Sequence, residues 1–300
     1  MIKLGRDPPS DSSVDELANY GDGELIQVDA SLQGSIEPLS DKSLAAINRL
    51  ARYKPPPDPY PFPEGRAAVL VCLFGSRSGD NLNVLLSTRS ETLRTYPGQV
   101  ALPGGKMDDT DINLEATARR EAFEEIGLPI DTTRIRYLTA LPPFLARSMM
   151  LVTPVVCLLL DYTLKPEINP SEVSGVFSFP LEGFLTSSST HPVFHRPHPP
   201  TVQSGAAPYY AFEDYPWFDG RRHRFHSFET SPQAVTGLTA EILIHVAMLA
   251  YAREPDFPLY APDQRPYDLL IKRAIRDQRW DEFRQRWRER QGEKERGSKL

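Results

Sequence analysis

The stretch RREAFEEIGL, residues 119–128, decides how this chain is interpreted. It carries two arginines and three glutamates, which are Glu121, Glu124 and Glu125. A helix turns by about 100° per residue, so the three carboxylates share about a third of its surface. Like charges at this spacing repel one another, and carboxylate oxygens suit Mg²⁺ or Mn²⁺. Two interpretations follow: a metal-binding face, or a solvated acidic face with Arg119 and Arg120 as neighbours.

The surrounding residues predict a helix over 112–126. Apolar side chains recur along one face of this segment, and Gly127 followed by Pro129 is typical of a helix end. The apolar positions are Leu114, Ala118, Ala122 and Ile126.

A glycine pair, Gly104 and Gly105, stands upstream in PGGKMDDTD, 103–111. Glycine lets the backbone approach a ligand closely. Together with the acidic helix, this segment resembles the Nudix box, G-x(5)-E-x(7)-R-E-U-x-E-E-x-G-U, in which U is apolar. Residues 120–128 match the second half of the box without a gap.

The first half of the box departs from the pattern. The segment from Gly105 to Arg120 is one residue too long, so Ile112 falls at the strict glutamate position and Asp111 stands beside it. The resemblance implies Asp111 as the partner of Arg120, with Glu115 as the alternative.

A second motif lies in VLLSTRSETLRTYPGQVALPGG, 84–105. It resembles the additional motif of the Nudix coenzyme A diphosphatases, L-L-T-x-R-S-x(3)-R-x(3)-G-x(3)-F-P-G-G, with serine for threonine at 87 and leucine for phenylalanine at 102. The resemblance implies hydrolysis of the diphosphate of coenzyme A or its derivatives. Arg89 and Arg94 are then candidates for binding phosphate through charge-assisted bonds; the alternative for them is ordinary surface ion pairing.

The same resemblance implies a fold and a set of roles. The fold is the Nudix α/β/α sandwich with a mixed β-sheet. The metal ligands are Glu121, Glu124 and Glu125, holding Mg²⁺ or Mn²⁺, and Gly104 and Gly105 belong to the substrate site with the two arginines. The catalytic residues are Glu121, Arg120 as the residue that orients it, and Glu125. Glu121 is the first choice of general base, and Glu172, outside the box, is a second candidate.

The chain divides into four predicted regions. Residues 1–39 are polar and acidic and predict a flexible arm. Residues 40–63 hold a short helix, capped by Ser40 or Asp41 and running through Tyr53, and a proline-rich strap. The Nudix domain is expected over 64–255, with an insertion loop at 186–208. Residues 256–300 form a C-terminal extension with a charged tail, which from Lys272 carries a net charge of +5.

Short apolar runs predict the strands, and longer ones the helices. Strands are expected at 66–75, 82–90, 98–105, 134–141, 150–160 and 172–180, the last leading into a short helix at 181–185. A hairpin or strand pair is expected at 216–229 and a buried helix at 236–251.

The cysteines and histidines predict no metal site. Cys72 and Cys157 lie in apolar runs and are expected to be buried free thiols. His191, His195 and His198 fit no compact ligand set and predict a mobile insertion. The histidine at 245 is expected to be a satisfied core residue.

Composition and the chain ends indicate which binding partners and which cellular location to expect. A net charge of −6 and a pI near 5.6 disfavour a nucleic-acid partner. The sequence contains no run of eighteen apolar residues, so no membrane span is predicted. It also has no apolar segment near residue 1, so no secretory signal is predicted. The final Ser298-Lys299-Leu300 is typical of a peroxisomal matrix address that an import receptor reads. The oligomeric state is open.

Two other functions stay open at this stage. The first is a Nudix diphosphatase acting on oxidised nucleotides such as 8-oxo-dGTP. The second is a nucleotide-binding module without catalysis. NADH is a weaker candidate substrate, because the S-Q-P-W-P-F-P array of the Nudix NADH diphosphatases is absent after the box.

Overall fold

The computed structural model describes residues 39–60, 65–76, 80–161, 163–194, 208–230 and 233–277. Most of the predicted N-terminal arm, the middle of the predicted 186–208 insertion, with His195 and His198, and Ser298, Lys299 and Leu300 lie outside these ranges.

A mixed sheet of eight strands forms the centre of the molecule. Strands β1 and β7 are parallel, in register from Arg66 opposite Leu151 to Leu73 opposite Leu158, and the other pairs are antiparallel. The order is β3-β2-β1-β7-β5, while β4 also pairs with β1, β6 with β7 and β8 with β2. The strands are β1 Arg66–Gly75, β2 Leu82–Arg89, β3 Val100–Ala101, β4 Gly104–Lys106, β5 Ile135–Ala140, β6 Phe144–Leu145, β7 Leu151–Leu159 and β8 Val173–Pro180.

Helices cover both faces of this sheet, and a small antiparallel sheet packs beside them. The helices are α1 Asp41–Arg52, α2 Leu114–Ile126, α3 Gly237–Tyr251 and α4 Tyr267–Arg276, with a 3₁₀ turn at Leu181–Leu185. The small sheet has the order β11-β10-β9, from β9 Tyr210–Pro216, β10 Arg222–Phe228 and β11 Val235–Thr236. No helix within the described ranges is long and apolar enough to cross a membrane.

Alternation along β1 explains the layers, because successive side chains of a strand point to opposite faces. One set packs against α2, and the other packs with α1 and α3. The first set is Ala68, Leu70 and Cys72, and the second is Ala67, Val71 and Leu73. Helix α3 is apolar nearly all round because it lies inside the larger core. The predicted α/β/α sandwich with a mixed sheet is thus confirmed.

Two predicted elements begin or divide differently in the structure. The acidic helix starts at Leu114, because the Asn113 side chain caps it by accepting from the Ala116 N–H (2.8 Å). The predicted strand at 98–105 is two strands, since the chain leaves β2 after Ala101 and joins β1 at Gly104.

The hairpin predicted over 216–229 is wider than expected. Its first strand, β9, begins at Tyr210, six residues before the predicted start. Most of β9 is exposed, so its sequence lacks the apolar alternation by which a half-buried strand is recognised.

The proline-rich strap packs across the end of the sandwich in its described part, 54–60. Tyr60 is buried against Leu270 and Ile271 of α4. The Arg66 guanidinium donates to the Tyr60 carbonyl (2.8 Å) and forms an ion pair with Asp58. The strap therefore joins the start of β1 to the C-terminal helix.

The expectations for the cysteines and for the core histidine are confirmed. Cys72 and Cys157 are buried free thiols, opposite each other in the β1–β7 register. The histidine at 245 donates from Nδ1 to the Glu241 carbonyl (2.8 Å), and its Nε2 lies 3.3 Å from the Tyr260 hydroxyl. His191 accepts the Val193 N–H at Nδ1 (3.2 Å) in its own turn.

Candidate active site

The acidic helix α2 ends beside the glycine pair of β4. Gly127 adopts the left-handed conformation (φ 68°) and closes the helix by donating to the Phe123 carbonyl (2.9 Å). The helix therefore stops at Ile126, one residue after Glu125, and the carboxylates of Glu121 and Glu125 lie over β4.

Each glycine of the pair has its own reason to be glycine. The Gly104 N–H donates to Glu125 Oε2 (3.1 Å), and a Cβ there would lie 2.3 Å from the Ala68 carbonyl oxygen. Gly104 also has φ +156°, which L side chains rarely adopt. A Cβ on Gly105 would lie 2.4 Å from the Glu121 carboxyl carbon. Backbone and carboxylates meet here at a distance that no side chain permits.

Arg120 is the centre of the polar network. Its Nε and Nη2 donate to both oxygens of Asp111 (3.0 and 2.9 Å), and Nη2 also donates to the Lys106 carbonyl (2.9 Å). Its Nη1 donates to Glu121 Oε1 (3.0 Å) and to Glu124 Oε2 (3.2 Å). The arginine therefore bridges the loop before the helix to two of the three glutamates.

Asp111 is the partner of Arg120, as predicted. The two-pronged bond to Arg120 lowers the pKa of Asp111 to about 2. The alternative partner, Glu115, instead accepts from Arg119 Nε (2.8 Å).

Two of the glutamates are held in surroundings that disfavour their charge. Burial is the main cause that raises the pKa of Glu125 to about 7; the bond from Gly104 opposes it, and the charge of Glu121 adds to it. Burial also raises the pKa of Glu121, against the opposing effect of Arg120. Glu124 is about half exposed. A cation beside these carboxylates would stabilise their charged forms.

The donor set fits a hard divalent ion in its chemistry, although the side chains do not converge as they stand. Among the described residues, no group of three or more His, Cys, Asp or Glu is arranged so that it could hold a metal ion. The physical reason is that Arg120 occupies Glu121 and Glu124, while Glu125 accepts from Gly104. Oxygen-only donors on one helix face remain the kind that Mg²⁺ and Mn²⁺ prefer.

The two arginines of the second motif have different surroundings. Arg89 ends β2, and its charge lowers the pKa of Glu125, so the two side chains lie within electrostatic reach. Its Nη2 donates weakly to the Thr95 carbonyl (3.4 Å), and its buried Nε has no hydrogen-bond partner in the described part of the chain. Arg94 is exposed on the loop between β2 and β3.

Glu172 lies on the same side of the site. It precedes β8, and its carbonyl accepts from the Ser90 N–H (2.8 Å), next to Arg89. Its charge raises the pKa of Glu125. The structure thus brings together Arg89, Glu125 and Glu172, which are far apart in sequence.

The alternative interpretation from the sequence placed Arg119 beside a solvated acidic face, but the structure buries this side chain. It is only 4% exposed, and its Nη1 donates to the Ile135 carbonyl (3.0 Å) while Nη2 lies 3.7 Å from Cys157 Sγ. The available signal was its position next to Ala118 on the apolar side of the helix.

Comparisons with known proteins agree with this geometry. Residues 64–200 match the NUDIX domain. Nudix hydrolase 22 of Arabidopsis thaliana, a chloroplastic protein, is 35% identical over 256 residues, which cover 83% of this chain and 71% of the plant protein. Peroxisomal coenzyme A diphosphatase 1 of Saccharomyces cerevisiae is 37% identical over 178 residues, 49% of this chain and 51% of the yeast protein. A peroxisomal coenzyme A diphosphatase of Mus musculus is 32% identical over 199 residues, 64% of this chain and 73% of the mouse protein.

The sandwich and its acidic helix thus define a hydrolase of phosphorus-containing acid anhydrides. More particularly, the chain belongs to the Nudix hydrolase family. Enzymes of this family generally use divalent metal ions such as Mg²⁺ or Mn²⁺.

Proposed function

We propose that this protein cleaves the diphosphate of coenzyme A or of its derivatives, acyl esters and the disulfide, to 3′,5′-ADP and (acyl-)4′-phosphopantetheine. The observation that carries the proposal is Arg89, whose buried Nε has no hydrogen-bond partner among the described residues and whose charge lowers the pKa of Glu125. Arg89 belongs to the 84–105 motif, and a guanidinium donor is well suited to phosphate oxygens. The similarity to the yeast and mouse diphosphatases supports the same substrate.

In this proposal Glu121, Glu124 and Glu125 hold Mg²⁺ or Mn²⁺. The bound ion supplies charge neutralisation for the diphosphate and lowers the pKa of water. Arg120 orients Glu121, and Asp111 fixes Arg120 in turn. Arg89 and Arg94 bind the phosphates of the substrate, and Gly104 and Gly105 let it approach the backbone closely.

The general base is a carboxylate. Glu121 accepts from Arg120 at Oε1, which leaves its Oε2 to take a proton from the attacking water. Glu172 is the second candidate, because its charge acts on Glu125 from outside the helix. Comparing pH–rate profiles of Glu121→Gln and Glu172→Gln distinguishes them: loss of the acidic limb, the fall in rate at low pH, in only one variant identifies the base.

Product analysis tests the substrate. The purified protein is incubated with coenzyme A, acetyl-coenzyme A, NADH and 8-oxo-dGTP, each with Mg²⁺, Mn²⁺ or EDTA. We expect 3′,5′-ADP to appear fastest, and only with metal. If 8-oxo-dGTP is cut while coenzyme A survives, the substrate assignment is wrong but the hydrolase stands. If nothing is cut under any condition, a nucleotide-binding module becomes the better account.

A substitution tests the site itself. Glu125→Gln should keep the fold and lower kcat by at least about a hundredfold, since it removes a carboxylate from the metal site. Glu115→Gln is the matched control, because Glu115 is on the same helix but pairs with Arg119. Circular dichroism checks folding, and a near-normal rate for Glu125→Gln would refute the ligand assignment.

We also propose that the protein acts in the peroxisomal matrix, delivered by an import receptor that reads Ser298-Lys299-Leu300. Two of the compared relatives are named as peroxisomal, whereas the plant relative is named as chloroplastic. A fluorescent fusion that keeps these three residues should enter peroxisomes. A fusion without them should not.

A further inference from the structure

One segment of the predicted N-terminal arm has the sequence pattern of a strand. Residues 26–33, IQVDASLQ, alternate strictly between apolar and polar side chains, and Gly34 follows them. Such alternation is typical of a strand with one face buried. The segment precedes Leu39, the first residue that the structure describes. As a strand it requires an apolar surface for one face and a backbone partner along one edge.

The central sheet offers both at strand β8. An open groove of about 460 Å³ lies beside this strand. Apart from Ser178, its lining is apolar: Phe74, Leu85, Pro166, Ile168, Val176 and Phe177. Strand β8 pairs with β2, and no other strand pairs with it within the described ranges. The edge of a sheet presents backbone N–H and C=O groups to which a further strand can add.

The described chain begins close to the end of β8. Ser40 caps α1, and its Oγ donates to the Asp80 carbonyl (3.4 Å). Asp80 leads into β2, which pairs with the end of β8 at Pro180. Lys42 forms an ion pair with Glu182, two residues after β8 ends. The N-terminal arm is therefore attached beside the groove and the open edge.

The short connection to Ser40 sets the direction of an added strand. Residues 34–39 let Gln33 lie at most about 25 Å from Ser40. An antiparallel strand would put Gln33 at the start of β8, about 23 Å from the end of β8, and would need an almost fully extended connection. A parallel strand puts Gln33 near the end of β8, where Ser40 lies.

The parallel direction also gives the connection through α1 the usual hand. Strand β8 is parallel to β1, because both are antiparallel to β2. The segment, α1 and β1 would thus form a strand–helix–strand crossover. Compared with the crossover from β4 through α2 to β5, its strands run in the opposite direction and its helix covers the opposite face. The two reversals cancel, so both crossovers have the same hand, and such connections are right-handed in nearly all proteins.

We propose that residues 26–33 of the same chain add to the outer edge of β8 as a parallel strand. Their apolar side chains then lie in the groove; these are Ile26, Val28, Ala30 and Leu32. A segment tethered this close to the groove has a high effective concentration there, which favours it over a second copy of the chain. The inference does not depend on which diphosphate the protein cuts.

Amide hydrogen exchange of the full chain, followed by mass spectrometry, tests the inference. Amides of 26–33 should exchange at least about tenfold more slowly than those of a free peptide of the same sequence. Val28→Asp puts a charge on the apolar side and should speed their exchange by at least about tenfold. Gln27→Asp is the matched control, because it adds the same charge on the opposite side, and it should exchange as wild type. Free-peptide rates in wild type, or equal effects of the two variants, would overturn the proposal.

Crosslinking tests the direction of the strand and the identity of the occupant. Ser178→Cys is combined with Gln33→Cys or with Gln27→Cys, and a short bismaleimide links the thiols; the two native cysteines are buried. The Gln33→Cys pair should link at least about tenfold faster, because position 27 lies about 20 Å farther along the strand. Faster linking of the Gln27→Cys pair would refute the parallel direction. Links found only between two chains, as a dimer on a denaturing gel, would make a second copy the occupant and overturn the assignment to the same chain.

Discussion

Gly105 shows how one residue without a side chain sets the position of a carboxylate, that of Glu121. A Cβ on Gly105 would meet the end of the Glu121 side chain, whereas a Cβ on Gly104 would meet the backbone of β1. The two glycines therefore leave space for different groups. Gly104 is required by the fold, and Gly105 by the placement of one carboxylate.

Gly105→Ala should consequently remove activity while leaving stability almost intact. The Glu121 carboxylate can move, so we expect the melting temperature to shift by less than about 3 °C. A displacement of about 1 Å in a catalytic group typically costs on the order of a hundredfold in rate. Steady-state kinetics and calorimetry measure the two quantities.

Gly175→Ala is the matched control for this substitution. Gly175 also lies in a strand of the central sheet, but a Cβ there would have no atom within 4 Å. It should have the activity of wild type. A Gly105→Ala enzyme with normal kcat would show that Glu121 does not need its observed position.

At the scale of the element, Arg119 fixes α2 to the sheet. It lies on the side of the helix that faces away from Glu121, Glu124 and Glu125. The guanidinium reaches the Ile135 carbonyl at the start of β5 and contacts Cys157 on β7, and its Nε is bound by Glu115 of its own helix. Removing one of these partners would leave a buried charge unpaired, which costs free energy of folding. The helix thus has a buried arginine that anchors it and, next in sequence, a second arginine that organises the site.

Arg119→Met tests the anchoring role. Methionine keeps most of the apolar stem but leaves the Ile135 carbonyl without its donor, so the free energy of unfolding should fall by about 2 kcal/mol. Glu115→Gln, which removes only the partly exposed ion pair, should cost less than about 1 kcal/mol. Urea denaturation of both variants measures the difference. Equal losses would mean that the ion pair, and not the bond to β5, holds the helix.

At the scale of the whole molecule, the residues after the matched 64–200 segment belong to the same core. Helix α3 packs with α1 and with the face of β1 opposite α2, and Phe228 of β10 lies in that cluster. These contacts support our proposal that the domain continues to about residue 255. They also place the small sheet on the side of the sandwich away from α2.

The parts of this architecture that the sequence predicts are those with strong periodicity or a fixed motif. Strand β1 is found at the predicted 66–75, and α3 begins within one residue of its prediction, because continuous apolar runs have few alternatives. The Asp111–Arg120 pair followed from the resemblance to the Nudix box, because Asp111 is the acidic residue beside the strict position, Ile112. The division of 98–105 and the start of β9 depend on tertiary contacts that leave no local pattern.

A buried histidine links the small sheet to the segment before α4 and makes stability depend on pH. His226 of β10 has no exposed surface; its Nε2 donates to the Leu259 carbonyl (3.0 Å), and its Nδ1 accepts from the Tyr210 hydroxyl (3.0 Å). Burial is the main cause that lowers its pKa to about 4. The neutral ring is therefore the form that the fold accommodates.

Acid should destabilise the protein through this ring. The unfolded chain has a histidine pKa near 6.5, so between about pH 6.5 and 4 it binds a proton that the folded chain does not. The free energy of unfolding is therefore expected to fall as the pH decreases through this window, by up to about 3 kcal/mol. His226→Gln retains a donor for the Leu259 carbonyl but cannot titrate. The free energy of unfolding of this variant, relative to that of wild type, should therefore rise by that amount between pH 7 and pH 4. Urea denaturation of both proteins at each pH cancels the contribution of every other group, and a difference that stays constant would mean that His226 accepts its proton within the fold.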